Sequence, residues 1–361
     1  MKKHTKILSL ILAVVMIMSV IPMTAAAKTY GDLTYEISND VVKITDCDES
    51  VTTVTIPSKI SGYPVTLIGE EAFKDCSLLT SVTIPDSVKG VLRQAFAYCY
   101  SLTSVTIPNS VTNIGAEAFY FCRSLTEITL PNKLVNISDR VFAGCSSLSS
   151  ISIPRGVSGS IGYYSFSGCK ALSSITIPET ITSICGRAFS GCSSLADITI
   201  GNQVTSIGDA PFDGCTSLTS ITIPASLTRI TSYTFSGCTA LIQINVDKNN
   251  KYFLSDEYGV LYSSAKGRLI KCPSKITNTS YIIPESVDAI EYCAFIDCES
   301  LISITIPNGL RVIDSGAFCR CTSLINITIP DSVESIGDNA FKNCTSLTSI
   351  IIENPKCEIY D

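Results

Sequence analysis

The stretch CYSLTSVTIPNSVTNIGAEAF at residues 99–119 returns in nearly the same form, as CTSLINITIPDSVESIGDNAF, at residues 321–341. Both follow the frame L-x-x-I-x-I-P-x-x-V-x-x-I-x-x-x-A-F-x-x-C. The residue at the Ile-Pro corner recurs every 23 or 24 positions with one longer gap, at Ile84, Ile107, Leu130, Ile153, Ile177, Ile200, Ile223, Val246, Ile283, Ile306 and Ile329. A fixed period of this length is the signature of a repeat architecture.

One unit predicts two extended segments and a turn. Residues 105–107 alternate apolar and polar side chains, the period-2 pattern of a strand with one buried face. Pro108 ends that strand because it lacks the N–H that the next ladder bond would need. A second short extended stretch follows over 111–114. Residues 118–122 fit one helical turn whose Phe119 fills the coil.

A unit this short cannot bury its apolar face alone, so the units are expected to stack into a repeat solenoid. The predicted solenoid carries a parallel β-sheet on one face, and short helical turns or extended segments on the other. About twelve coils spaced by roughly 4.8 Å would extend on the order of 55–60 Å.

Eleven cysteines share one repeat position and should form an internal ladder: Cys76, Cys99, Cys122, Cys145, Cys169, Cys192, Cys215, Cys238, Cys298, Cys321 and Cys344. Buried thiols behave as small apolar groups, which favours a structural core. Disulfides between neighbouring rungs are the first alternative, since the spacing would allow them. Metal is the second, but the C-x-x-C or Cys/His spacing of metal sites is missing. Six further cysteines lie off the ladder, at Cys47, Cys185, Cys272, Cys293, Cys319 and Cys357.

The N-terminus has the pattern of a signal peptide over residues 1–27. Three lysines precede an apolar run over 7–23, and Ala25 and Ala27 stand at −3 and −1 of a cut before Lys28. An uncleaved membrane anchor is the alternative. Removing three lysines and no acids changes the formal charge from −6 to −9. We therefore expect a secreted or cell-surface protein that neither inserts in the membrane after cleavage nor binds nucleic acid.

Catalysis is disfavoured by the residue types present. The single histidine, His4, lies in the predicted signal peptide, so mechanisms that use Ser-His-Asp, Cys-His or a His-bound metal are excluded from the mature chain. Glu291 and Asp314 share a repeat position one coil apart, and a carbohydrate-active enzyme using that pair stays a minor alternative. The prediction is no catalytic residue, no metal and no cofactor.

The motifs LTSITIP, SIGDNAF and F-x-x-C-x-x-L resemble those of the BspA-like leucine-rich repeat proteins, which are secreted or surface proteins of bacteria. The resemblance implies a leucine-rich-repeat arc. It assigns residues 28–50 to an N-terminal β-hairpin cap, 51–246 to repeats, 247–282 to a β-hairpin insertion, and 283–361 to repeats with an incomplete last unit. It also implies adhesion to an extracellular protein or glycoconjugate, such as a host matrix protein. A structural surface-coat protein is the alternative function.

Two regions are candidates for recognition. The insertion could protrude as a recognition element, or could be a structural kink that changes the curve of the solenoid, which we favour. Calcium binding by Asp256 and Glu257 is disfavoured because no EF-hand-like spacing is present. Aromatic residues near the Phe turns could form an exposed binding edge or could simply pack around those turns. The predicted edge comprises Tyr98, Tyr100, Tyr120, Phe121, Tyr163, Tyr164 and Tyr233.

Overall fold

A computed structural model describes residues 27–360 and shows a β-solenoid of about 14 turns of stacked strands. The predicted signal peptide, apart from Ala27, lies outside the described residues. In chain order the strands are β1 (Lys28–Tyr30), β2 (Leu33–Ser38), β3 (Val41–Cys47), β4 (Thr53–Thr55), β5 (Lys59–Ile60), β6 (Tyr63–Ile68), β7 (Ser81–Thr83), β8 (Gly90–Val91), β9 (Ser104–Thr106), β10 (Asn113–Ile114), β11 (Glu127–Thr129), β12 (Gly159–Ile161), β13 (Ser174–Ile177), β14 (Ile181–Ile184), β15 (Asp197–Ile200), β16 (Ser206–Ile207), β17 (Ser220–Ile223), β18 (Gln243–Val246), β19 (Phe253–Ser255), β20 (Leu261–Ser263), β21 (Arg268–Lys271), β22 (Ser280–Ile282), β23 (Ala289–Ile290), β24 (Ser303–Thr305), β25 (Val312–Ile313), β26 (Asn326–Ile329), β27 (Ser335–Ile336), β28 (Ser349–Ile352) and β29 (Glu358–Ile359).

The strands that precede the Ile-Pro corners form the first column of parallel pairs. They associate as β4–β7–β9–β11, β13–β15, β17–β18 and β22–β24–β26–β28. The register follows the repeat, with Val82 opposite Val105 and Ile175 opposite Ile198. Within β4, β7, β9 and β11 the central apolar residue is buried and its polar neighbours are exposed. The predicted stacked parallel strands are confirmed.

A second column of shorter strands follows each corner. Its parallel runs are β3–β6–β8–β10, β12–β14–β16 and β21–β23–β25–β27–β29. The one extra residue of the unit before Ile177 is absorbed in this column, where the register shifts between Gly159 and Ser160. Gly159 has φ +124°, a conformation that side-chain-bearing residues rarely adopt. The insertion therefore bulges one strand and leaves the stacking intact.

The third side of each coil is built from turns, and the predicted helical turns are wrong. The N–H groups of Glu117, Phe119 and Phe121 donate to carbonyls of the next coil at 2.8–3.0 Å. Glu117 and Phe121 have φ of 60° and 57°, values that no right-handed helix contains. Alternate N–H groups of the turn point along the stack, so they form hydrogen bonds to the next coil instead of the hydrogen bonds of a helix. Among residues 27–360 the single 3-10 helix spans Ser232–Phe235.

The interior is filled by side chains in register from coil to coil. The phenylalanine that fills each coil stacks on its equivalent in the next coil, from Phe73 to Phe235 and again from Phe295 to Phe341. Neighbouring ring centroids are 4.9–6.3 Å apart. The repeat leucines, such as Leu102 and Leu125, are fully buried beside them. Burying a Leu, Ile or Phe side chain contributes roughly 1.5–3 kcal/mol, so contacts between coils hold the array together.

The chain before the first repeat forms an antiparallel meander. Strands β1, β2 and β3 pair in that order, and β3 then pairs in parallel with β6. Leu33, Val42 and Ile44 are buried and extend the interior of the solenoid. The meander thus leads directly into the second strand column.

Residues 253–271 form an internal wall. Strands β19, β20 and β21 are antiparallel, and β21 then pairs in parallel with β23. Leu261 and Ile270 pack into the hydrophobic core that precedes the wall. Tyr262 and Leu269, on the opposite face, pack into the core that follows it. Because the side chains of a strand alternate between faces, one hairpin closes two cores.

Candidate functional site: an aromatic edge beside a basic groove

The cysteine ladder is an array of free thiols hydrogen-bonded to the phenylalanine turns. All cysteines of the described chain are unpaired. In nine rungs Sγ–H donates to the backbone carbonyl of the Phe in the preceding coil, at 3.0–3.3 Å, as Cys145 does to Phe119. Burial raises the pKa of Cys192 and Cys238 to about 12, so these thiols stay neutral and unreactive. Over residues 27–360 no cluster of three or more His, Cys, Asp or Glu side chains could hold a metal ion.

The carboxylates singled out from the sequence are engaged by the protein itself. Glu291 forms an ion pair with Arg268. Asp314 accepts a hydrogen bond from the N–H of Ser315 at 2.7 Å. These contacts give each carboxylate a local structural partner.

Asp256 anchors the internal wall. Its Oδ1 accepts the N–H groups of Tyr258 and Val260 at 3.0 and 2.9 Å. Its Oδ2 accepts the hydroxyls of Tyr281 at 2.5 Å and Tyr262 at 3.4 Å. A carboxylate that accepts four protein donors has few lone pairs left for a cation, so this geometry favours the structural interpretation of the insertion.

Four of the predicted edge residues form one cluster across neighbouring coils. The ring centroid of Tyr98 lies 5.4 Å from Tyr120 and 6.0 Å from Phe121. It lies 6.1 Å from Tyr100, and Tyr120 and Phe121 are 4.6 Å apart. Tyr100 is 38% exposed and the other three are half-buried. We call these four residues the aromatic edge.

The turn geometry explains why the rings gather outside the core. Tyr98 and Phe121 occupy the same turn position in successive coils, with φ of 63° and 57°. The next coil has Gly144 there, and a Cβ on that glycine would lie 2.9 Å from the Phe121 ring. The ring of Phe121 therefore rests on the bare backbone of Gly144. Desolvation raises the pKa of the Tyr98 hydroxyl, and the neighbouring Tyr120 and Tyr100 hydroxyls disfavour its charged form further, so it stays protonated.

Sequence reasoning missed the basic side chains that border the edge. The Arg123 guanidinium lies 5.0 Å from the Tyr100 ring centroid and 5.3 Å from that of Phe121. Arg140 lies 5.2 Å from the ring centroid of Tyr164. The sequence held one signal for Arg123. The residue directly after a ladder cysteine is Ser or Thr in most units, and here it is Arg123.

A groove lies between these groups, on the turn face of the solenoid. Its volume is about 740 Å³. Aromatic walls, a glycine floor and three cations define it; the lining residues are Tyr120, Phe121, Arg123, Arg140, Ala143, Gly144, Ser146, Tyr164, Ser167, Gly168 and Lys170. We call it the basic groove, because its lining includes Arg123, Arg140 and Lys170 and no Asp or Glu.

The structure places the remaining edge candidates elsewhere. Tyr163 is 56% exposed, and its N–H donates to the carboxylate of Asp139 at 2.8 Å. The ring of Tyr233 is tilted against that of Tyr292, with centroids 4.8 Å apart, and Tyr233 lines a separate cavity of about 440 Å³. Tyr163 has no ring contact with the aromatic edge among the described residues. Tyr233 lies about five coils further along the stack than Tyr120.

The repeat family matches almost the whole described chain. The sequence model of the BspA type leucine rich repeat region matches residues 45–172, 159–280 and 271–361 in six copies. The chain belongs to the BspA-type leucine-rich repeat family, and the resemblance inferred from its motifs is confirmed. No match was found among functionally curated proteins.

Three solved structures share this fold. A leucine rich cell surface protein from Faecalibacterium prausnitzii A2-165 is 30% identical, with 91% of this chain and 94% of that chain covered and a TM-score of 0.59. A leucine-rich repeat protein from Bacteroides ovatus ATCC 8483 is 28% identical, with 92% and 90% covered and a TM-score of 0.64. The pneumococcal vaccine antigen PcpA, at 21% identity, 91% and 82% coverage and a TM-score of 0.51, shares the fold alone. None of the three is described as an enzyme.

Between residues 27 and 360, no helix has the length and apolar character needed to cross a bilayer.

Proposed function

We propose that this protein is a secreted or cell-surface adhesive repeat protein that binds an extracellular protein or glycoconjugate through the aromatic edge. The observation that carries the proposal is the packing of Tyr98, Tyr100, Tyr120 and Phe121 into one partly exposed cluster on a rigid turn face. Aromatic and arginine side chains are the residue types that dominate binding energy at interfaces. Rings held by stacked coils lose little conformational freedom on binding, which favours affinity.

The relatives support the location of this function. The protein from Faecalibacterium prausnitzii, 30% identical over most of both chains, is described as a cell surface protein. A surface location exposes the turn face to foreign macromolecules. The polar face of the first strand column, by contrast, presents mostly Ser and Thr side chains, which contribute little binding energy.

The test is biolayer interferometry of residues 28–361 at physiological salt against fibronectin, fibrinogen, collagen and mucin. We expect saturable binding to at least one of these ligands. Tyr98→Ala and Tyr120→Ala should each weaken it by about tenfold, the scale of an interface anchor. Tyr30→Ala removes a tyrosine that is 52% exposed in the N-terminal meander, outside the aromatic edge, and serves as the matched control.

Two outcomes would contradict the proposal. One is binding that survives both edge substitutions while the control behaves identically. The other is binding to no ligand together with self-association that rises with protein concentration, which would favour a structural surface-coat protein.

A further inference from the structure

We infer that the basic groove binds a carboxylated sugar, a sialic or hexuronic acid residue of a glycan. The inference rests on the proposed function, because it names the ligand class of a groove that shares Tyr120 and Phe121 with the aromatic edge. It depends on the shape of the groove, on the cations that border it, and on the state of its backbone groups.

The groove has flat, apolar surfaces on which a sugar ring can lie. Phe121 forms one wall and Tyr164 another, while Gly144 and Gly168 expose their backbone between them. The two glycines follow the stack closely, since a Cβ on Gly168 would lie 3.8 Å from the Cα of Gly144. An aromatic ring is a large apolar surface with a negative face, suited to the C–H groups of a sugar. A volume of about 740 Å³ admits one or two sugar rings.

Arg123 is preorganised to receive a carboxylate. Its guanidinium is held against the rings of Tyr100 and Phe121, and it forms no ion pair with any carboxylate in residues 27–360. Stacking uses the face of the guanidinium and leaves the N–H edge free. That edge matches a carboxylate bidentately.

A second free cation lies at the same repeat position two coils along. Lys170, like Arg123, directly follows a ladder cysteine, and it is exposed without a carboxylate partner in the described part of the chain. These are the two basic residues at that position in the whole array. Arg140 is partly neutralised, since it contacts Glu117 at 3.4 Å. On a chain with a net charge of −6, the groove is a local positive site, which selects an anionic ligand.

The backbone of the groove argues against an extended peptide. Peptides that add as a strand need unpaired N–H and C=O groups at a sheet edge. Here the N–H of Gly144 donates to Ser167 and that of Gly168 to Ser190, both at 2.7 Å. The floor is therefore already hydrogen-bonded to the next coil. The hydroxyl of Ser167 lines the groove and can meet a sugar hydroxyl. The Ser146 hydroxyl donates to the carbonyl of Arg123 at 3.4 Å and keeps its lone pairs for a sugar donor.

The test compares acidic with neutral sugars on the full mature chain. The probes are 3′-sialyllactose, a hyaluronan tetrasaccharide and lactose, with binding measured by ligand-observed NMR. We expect at least one acidic probe to bind and lactose to bind at least tenfold more weakly. Arg123→Gln and Lys170→Gln should each lower affinity by about tenfold, the scale of a charge-assisted hydrogen bond. Arg311→Gln is the matched control, because Arg311 is exposed and pairs with Glu334 in a distant repeat.

The two acidic probes distinguish the sources, a terminal sialic acid or an internal glucuronic acid. The inference is overturned if lactose and the acidic probes bind equally, if no probe binds, or if Arg123→Gln leaves affinity unchanged. It is also overturned if an acidic peptide binds in a manner sensitive to Arg123→Gln while both acidic sugars do not bind. The proposed function fails separately, when Tyr98→Ala and Tyr120→Ala leave binding to the macromolecule panel intact.

Discussion

Replacing one rung of the thiol ladder tests why cysteine occupies this position. Cys145 is fully buried, and its Sγ–H donates to the carbonyl of Phe119 at 3.1 Å. The same carbonyl also accepts the N–H of Cys122 at 3.2 Å. Cys145→Ala therefore leaves no orphaned acceptor, and its cost comes from lost packing and one weak hydrogen bond.

The magnitude follows from these contacts. The Sγ buries roughly the surface of one methylene, about 0.8 kcal/mol. The cavity left in a stack that relaxes only partially adds a similar amount, and the weak S–H bond about 0.5 kcal/mol. We expect Cys145→Ala to destabilise its coils by about 1.5–2.5 kcal/mol. Cys145→Ser should cost about 2–3 kcal/mol, because the hydroxyl places a polar oxygen among apolar rungs.

Hydrogen–deuterium exchange is the suitable assay because a solenoid opens locally, coil by coil. The alanine variant should speed exchange of the amides over residues 119–148 by roughly 10- to 70-fold, and leave those of residues 300–336 unchanged. A serine variant as stable as the wild type would refute the apolar role of the rung. A reducing agent that itself speeds exchange would refute the free-thiol ladder and favour rung disulfides.

Three further predictions concern stability. Gly237→Ala should lower the free energy of unfolding in urea more than Gly191→Ala does. Both place an alanine in the left-handed region, at about 1–2 kcal/mol, but of the two only the Cβ at Gly237 would lie 2.9 Å from the backbone N of Gly214. Equal losses of stability would contradict this. Burial raises the pKa of Cys192 from 9.0 to about 12. The stability contributed by the protonated thiol is therefore fully present below pH 9 and is lost as the pH rises toward 12. Cys192→Ala should make the free energy of unfolding fall less steeply between these pH values. Asp256→Asn should lower the free energy of unfolding by about 1.5–3 kcal/mol by weakening charge-assisted hydrogen bonds, and should speed amide exchange over residues 261–271. Calcium should not raise the melting temperature of the wild type, and a calcium-dependent rise would contradict the structural role.

The repeat pattern allowed much of the fold to be predicted. Alternation at Val105 and Ile107, ended by Pro108, specifies a strand with one buried face, and the 23-residue period forces each strand to lie beside its equivalent. The predicted helical turn at residues 118–122 was wrong because the apolar spacing of Ala118, Phe119 and Cys122 fits a helical turn as well as it fits the observed non-helical turn. Only neighbouring coils supply the carbonyls that Phe119 and Phe121 donate to instead.

The candidate site divides in the same way. The sequence located the tyrosines and Phe121 near the turns, because an aromatic residue at a usually polar or glycine position is visible in an aligned repeat. It did not reveal that Tyr163 and Tyr233 lie apart from the edge. It also did not reveal that Arg123 and Lys170 border one groove.

The sequence by itself determined the period, the stacked strands and the buried thiol ladder, because each depends on which side chains leave water within one short unit. The tertiary structure alone decided how the units bond along the third side and how residues 253–271 divide two cores. It also decided which exposed side chains share a surface. Arg123 and Lys170 are 47 positions apart in the chain but two coils apart in the stack, and only the stacking distance governs what a ligand can touch.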